Sequence, residues 1–239
     1  MRTVETVAAA LRPRRVLDVA TGAGDFALLL AQNLGSYEEI VAVDSQPRAV
    51  AQASERLAKI RGGKAMEADA AALPFPDGSF DLVSISNSLH HFPHPEAVLT
   101  EAFRVLAHGG HLMVFEMHRE AEDETAMSHV LLHHWWARID SLTGTFHAVT
   151  YDREGLTSLV GALGLKGLGI DEILDGEGDP HDAELIAQID SIIDRYIGKI
   201  PQGSPEAASC RDEGETLRRR VHEKGFRSAP SLLIVGQKA

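Results

Sequence analysis

The chain has a single cysteine, Cys210, so no disulfide can form within it. A chain of 239 residues buries enough surface to fold without such a staple, and the lack of one fits a reducing compartment. Basic charge is also scarce. Lys and Arg number 23 against 35 Asp and Glu, a net charge of −12, which disfavours a nucleic-acid backbone as partner. No window approaches the roughly 20 apolar residues of a membrane span. The start, MRTVETVAAALRPRR, lacks the continuous apolar core of a signal peptide. A cytoplasmic location with no membrane span is therefore expected. No internal repeat or low-complexity segment interrupts the chain. The one arginine run, Arg218 to Arg220, lies in a charge-mixed, helix-like stretch and reads as a solvated face.

The strongest positive signal is VLDVATGAGDFA, Val16 to Ala27. Apolar Val16, Leu17 and Val19 lead into Thr21-Gly22-Ala23-Gly24, and Phe26, Leu28, Leu29 and Leu30 follow at helical spacing. A strand, a glycine turn and a helix N-terminus in so few residues let a ligand approach the backbone. Further strands are expected at Glu39–Val43, Lys64–Ala68, Phe80–Ser86 and His111–Met117, with helices at Pro47–Ile60 and Pro95–Leu106. Such alternation implies a parallel sheet covered on both faces.

After Met117 the pattern changes. Residues 120–150 read as polar helix, Asp152–Leu163 as helix, Gly167–Leu174 as strand, and Ser231–Val235 as a last strand. Between them lies a long insertion. Its Leu185, Ile189, Ile192, Ile193, Tyr196 and Ile200 fall on one helical face, which either packs on the domain or meets a second copy in a homodimer.

Gly22-x-Gly24-x-x-Ala27 formally fits a dinucleotide turn, with Asp44 at the end of the second strand where a ribose-binding acid belongs. An NAD(P)-dependent oxidoreductase is thus one reading. Asp25 in the first helical turn and Asp18 beneath the turn oppose a pyrophosphate there. They suit an uncharged adenosine joined to a cationic sulfonium, S-adenosylmethionine.

Four motifs in order carry a family resemblance: VLDVATGAGDFA, VAVD ending at Asp44, EADAAALPFPDGSFDLVSISNSLHHF from Glu67, and RVLAHGGHLMVFE from Arg104. Together they resemble class I S-adenosylmethionine-dependent methyltransferases, specifically the small-molecule branch of ubiquinone/menaquinone-biosynthesis type. The resemblance covers about residues 14–117. It implies an α/β, Rossmann-like class I methyltransferase fold, a mostly parallel seven-stranded sheet in the order 3-2-1-4-5-7-6 with a helical cap. The expected division is a donor-binding core over 1–117, cap helices over 118–150, a core helix and strand 6 over 151–174, a helical cap insertion over 175–229, and a final core strand over 230–239.

By the same resemblance, the cofactor is S-adenosylmethionine and the product S-adenosylhomocysteine. Gly22 and Gly24 should let the methionine portion lie on the backbone, Asp18 should orient its ammonium, Asp44 should accept from the ribose and Asp69 and Ala70 should meet the adenine, with Ala20, Thr21 and Ser45 also in the cofactor site. Asn87 should border the transferred methyl. In-line displacement from a sulfonium works by alignment, and a base is needed only where the acceptor must lose a proton. His91 and His90, just after the fourth strand, are the candidates. For the substrate pocket the candidates are Trp135, Trp136, Glu116 and His147. His129 and His133 stand at i, i+4, yet no cysteine pair or HExxH accompanies them, so no metal is expected. The expected activity is methyl transfer to a small-molecule acceptor. A donor-binding sensor or scaffold without transferase activity is a further alternative.

Overall fold

A computed structural model describes residues 2–174, 178–201, 203 and 205–239. The chain runs α1 (Val4–Ala10), β1 (Arg15–Val19), α2 (Asp25–Asn33), β2 (Glu39–Asp44), α3 (Pro47–Leu57), β3 (Gly63–Glu67), β4 (Phe80–Ser86), α4 (Pro95–Val105) and β5 (Leu106–Met117). It continues with α5 (Glu124–Leu142), α6 (Arg153–Gly161), β6 (Lys166–Ile173), α7 (Ala183–Lys199), α8 (Pro205–Lys224) and β7 (Ser231–Gln237). The strands form one seven-stranded sheet in the order β3-β2-β1-β4-β5-β7-β6. β7 pairs antiparallel with both neighbours and the remaining pairs are parallel. This is the expected order, and the β1–β4 neighbourhood reverses its direction of travel, placing a ligand crevice beyond the strand C-termini.

Central strands are apolar on both faces because both are covered. Leu17, Val19, Val83, Ile85 and Val114 pack under α4 and α6, while Val16, Ile40, Leu82 and Met113 pack under α1 and α2. A third core lies outside the sheet, where α5, α7 and α8 bury Leu132, Trp135, Ile139, Ile189, Ile193, Cys210 and Val221 together. The apolar stripe of α7 is turned into this core. Gly214 in mid-α8 makes the contact possible, since a Cβ there would stand 2.5 Å from Trp135 Cζ2. Arg218 meets Asp190 and Asp194 of α7, and Arg220 meets Glu124 of α5, so the arginine run ties the cap helices together.

Several boundaries differ from the sequence reading. α1 was not anticipated; a capping box between Thr3 and Thr6 starts it. β5 begins at Leu106, its register slipping against β4 between Phe80 and Leu82. The helix expected to reach Thr150 stops at Leu142. Gly144, at φ +83°, turns the chain into an irregular segment that carries His147. Residues 175–177, where the second insertion was expected to open, lie outside the described residues. Among the described residues, no helix is long and apolar enough to cross a membrane.

Candidate functional site

The crevice starts at the turn after β1. Ala20 and Gly22 both take positive φ, +53° and +56°, which turns the chain sharply and presents backbone to open space. Beneath it Asp18 is buried, accepting 2.6 Å hydrogen bonds from the hydroxyls of Thr21 and Ser84. Burial pushes its pKa up to about 6, against the downward pull of those hydroxyls. Asp44, at the tip of β2, accepts from the Gly22 and Gln46 N–H groups at 2.9 Å. Each of its oxygens keeps acceptor capacity for a ligand hydroxyl.

A cavity of about 630 Å³ opens over these residues, lined by Ala20, Gly22, Asp44, Ser45, Asp69, Ala70, Asn87, Ser88, His91, Thr145 and Phe146, among others. A smaller one of about 240 Å³ reaches under the turn to Asp18 and Thr21. A third, about 600 Å³ and mostly apolar, is bordered by Phe26, Leu29, Phe115, Met117, Ile173 and Leu174, with Asn87, His90, His91, His129 and His133 forming its polar wall. Asn87 borders all three, and His91 borders the two large ones. Asn87 is held at φ +44°, donating its N–H to Phe115 O and accepting from Met117 N on its side chain. It is the corner where the cavities meet.

Two residues of the glycine turn have structural partners that the sequence did not show. Gly24 lines none of the described cavities. Its φ of +86° and the 3.1 Å that a Cβ would leave to Ala53 Cα assign it to the close approach of α2 and α3. Asp25 is not an unopposed charge at the turn. Its carboxylate is exposed and ion-paired with Arg56, so of the two acids weighed against a pyrophosphate only Asp18 is buried.

The four residues expected in the substrate pocket, Trp135, Trp136, Glu116 and His147, line none of these three cavities. Trp135 is 1% exposed in the cap core and donates to Cys210 O at 2.8 Å. Trp136 stacks on Tyr196 and abuts the rings of His129 and His133. Glu116, fully buried on β5, accepts from Ser88 N and Leu89 N and binds His90 Nδ1 at 2.6 Å. It thereby fixes the 3₁₀ turn at Leu89–His91 and the His90 ring. His147 is buried behind His90 and His133, its Nδ1 on Asp140 at 2.9 Å and its Nε2 3.3 Å from His133 Nε2.

The histidines gather more closely than their spacing suggested. His90, His91, His133 and His147 pack ring against ring, with centroids 4.2–5.4 Å apart. Burial, reinforced by the neighbouring imidazoles, pushes the pKa of His133 down to about 2 and that of His91 to about 3; burial alone takes His129 to about 4. All three rings are therefore neutral near pH 7. His129, the i, i+4 neighbour of His133, turns elsewhere: its Nδ1 accepts from Ala229 N.

Sequence reasoning missed the apolar wall, Phe26, Leu29, Phe115, Ile173 and Leu174. Phe26 and Phe115 stack with centroids 6.0 Å apart. Phe26 stood in the quoted turn motif and could have been found there; the others become neighbours only through the sheet order.

Residues 16–110 match the family described as "Methyltransferase domain". The chain is 47% identical over 106 residues to a demethylmenaquinone methyltransferase of Thermus thermophilus, an alignment covering 44% of this chain and 47% of that protein. It is 37% identical over 153 residues to a demethylmenaquinone methyltransferase of Deinococcus radiodurans, covering 63% of each. The chain thus spans about half to two-thirds of the length of these relatives. Among solved structures, a putative methyltransferase from Bacillus halodurans superposes with a TM-score of 0.65 at 20% identity, covering 98% of this chain and 96% of that one.

Proposed function

We propose, from the premise that residues 16–110 of this chain are a class I S-adenosylmethionine-dependent methyltransferase domain, that the protein moves a methyl group from S-adenosylmethionine to a small-molecule acceptor. One observation carries the reading. A cavity edged by the carboxylates of Asp44 and Asp69, with Ser45 and Ala70, meets a second cavity walled by Phe26, Leu29, Phe115 and Ile173 at Asn87 and His91. Donor and acceptor in those two spaces face each other across one corner.

In this reading Asp44 accepts from the ribose hydroxyls and Asp69 from the adenine amino group, beside the buried Ala70. Gly22 lets the methionine portion lie on the backbone, and Ala20 and Thr21 complete the turn. Asp18, ionised above pH 6, attracts the ammonium from below. The sulfonium then stands at Asn87, its methyl directed into the apolar cavity. Holding acceptor, methyl and sulfur in line supplies on the order of 7–11 kcal/mol of the barrier reduction. The departing thioether is neutral and needs no proton. His91 and His90 are the polar groups that meet the acceptor; His91 borders both spaces, while His90 is held from behind by Glu116.

The acceptor is mostly apolar, with one polar function facing the histidines. That fits the quinone-type substrates named for the relatives, although the walls of this cavity come largely from outside residues 16–110. We assign residues 1–117, 151–174 and 230–239 to the core and 118–150 with 175–229 to the cap that closes the acceptor side.

Calorimetry with S-adenosylhomocysteine and with NAD(P) tests the reading. One homocysteine nucleoside bound per chain, with NAD(P) silent, is the expected result. Binding of NAD(P) in its place overturns the proposal.

A further inference from the structure

We propose that His90, His133 and His147 form a binding site for one divalent transition-metal ion of the zinc class, whose open position faces the apolar cavity. The three residues come from three places: His90 from the turn after β4, His133 from α5, and His147 from the irregular segment after it. All three are buried, and each offers a ring nitrogen within 4.8 Å of the other two.

Two of the three rings, His90 and His147, are held as metal ligands usually are. Glu116 holds His90 Nδ1 at 2.6 Å and Asp140 holds His147 Nδ1 at 2.9 Å. A carboxylate accepts, so each Nδ1 carries the proton and each Nε2 keeps its lone pair. A carboxylate behind a histidine is the usual way to fix the tautomer and raise the basicity of a metal ligand. Asp140 is itself held by Lys199 and Tyr196, at 3.1 and 3.3 Å. Two nitrogens on a tetrahedral zinc, each about 2.0–2.1 Å from it, stand about 3.3 Å apart. His133 Nε2 and His147 Nε2 are 3.3 Å apart.

Without a cation, His133 Nε2 has one 3.3 Å contact, to His147 Nε2, while the His133 Nδ1 is without a hydrogen-bond partner with or without an ion. An ion accepts lone pairs from all three rings at once and gives His133 a strong bond in place of a weak one.

Three protein ligands leave one position of a tetrahedron for another molecule. His90 and His133 both border the acceptor cavity, and His147 closes the site from behind. The fourth position therefore opens toward Asn87 and His91. An acceptor with an ionisable hydroxyl, a phenol or enol, binds there as its oxyanion, its proton passing to water. This last step rests on the methyl-transfer reading; the metal site itself does not.

The test uses the full chain, stripped with a chelator and dialysed. Titration with Co²⁺ should give the intense visible bands of a tetrahedral ion, saturating at one equivalent and displaced by Zn²⁺. His133→Ala and His147→Gln should abolish the bands, and Asp140→Asn should weaken Co²⁺ binding about 10–100-fold through the His147 tautomer. His222→Ala, at the surface on α8, should leave uptake unchanged. Circular dichroism and S-adenosylhomocysteine binding, followed in each variant, report folding and the donor site separately. Failure to reach one equivalent, or bands that survive both His133→Ala and His147→Gln, overturns the metal site even when the nucleoside binds normally. Loss of nucleoside binding with the bands intact overturns the methyltransferase reading and leaves the metal site standing.

Discussion

The cavities we assign to donor and acceptor are similar in size, about 630 and 600 Å³, and share a corner, yet they are built in different ways. The donor side consists mainly of short loops at the ends of β1, β2, β3 and β4, with Thr145 and Phe146 added from the segment after α5. Its shape follows from backbone dihedrals and from carboxylates that bind nearby N–H groups, as Asp44 binds Gly22. The acceptor side is assembled from side chains of α1, α2, β5, β6, the turn after β4, α5 and the segment before β7. Locally encoded backbone makes a site that tolerates change elsewhere. A site of converging side chains depends on the docking of every element that contributes one.

If that contrast holds, damage to the cap should leave the donor side intact. Trp135→Ala removes the largest fully buried side chain, and about 3–5 kcal/mol of stability should go with it. Denaturant melts should show this loss with S-adenosylhomocysteine affinity unchanged in the folded protein. A large fall in that affinity would show the two sides to be one unit. Asp44→Ala is the reverse case. It should weaken nucleoside binding by about 1.5–3 kcal/mol, measured by calorimetry, with the melting temperature little altered.

Proton linkage at Asp18 sharpens the contrast further. Its pKa of about 6 in the fold lies above the ordinary 3.8, so the native state binds this proton more tightly than the unfolded chain. The resulting stabilisation is fully present below the ordinary value and is lost as pH rises toward 6. The stability difference between wild type and Asp18→Asn should therefore shift in favour of wild type on going from pH 7 to pH 4.5, by about 1–2 kcal/mol. Nucleoside affinity should fall over the same interval in wild type and stay flat in the variant. The smallest effect is expected from Arg56→Ala. The Asp25–Arg56 pair is exposed, so stability should change by less than about 1 kcal/mol. An unchanged preference for S-adenosylhomocysteine over NAD(P) would place the discrimination in Asp18 rather than Asp25.

The same contrast explains what the sequence made legible. The strand order, the turn at Gly22 and the placement of Asp44, Asp69 and Asn87 beside one cavity are carried by motifs of contiguous residues. Even there Gly24 carries two readings, because a positive φ serves helix packing as well as ligand approach. The acceptor side resisted. Histidines at i, i+4 suggested His129 with His133, but the closest partners of His133 are His90, 43 positions before it, and His147, 14 positions after it. Helical periodicity cannot report a neighbour supplied by a loop. Trp135 and Trp136 looked like pocket walls by residue type, and Gly214, opposite in α8, is what draws Trp135 inward.

The left-handed backbone at Asn87 narrows what substitution could put there. Glycine would relax the main chain yet give up the amide oxygen that meets Met117 N, while branched residues would resist the conformation outright. Drift at this position is thus caught between two unfavourable exits. An Asn87→Gly protein could gain robustness while losing the alignment of its reactants, a trade that a melting curve alone would misread as improvement.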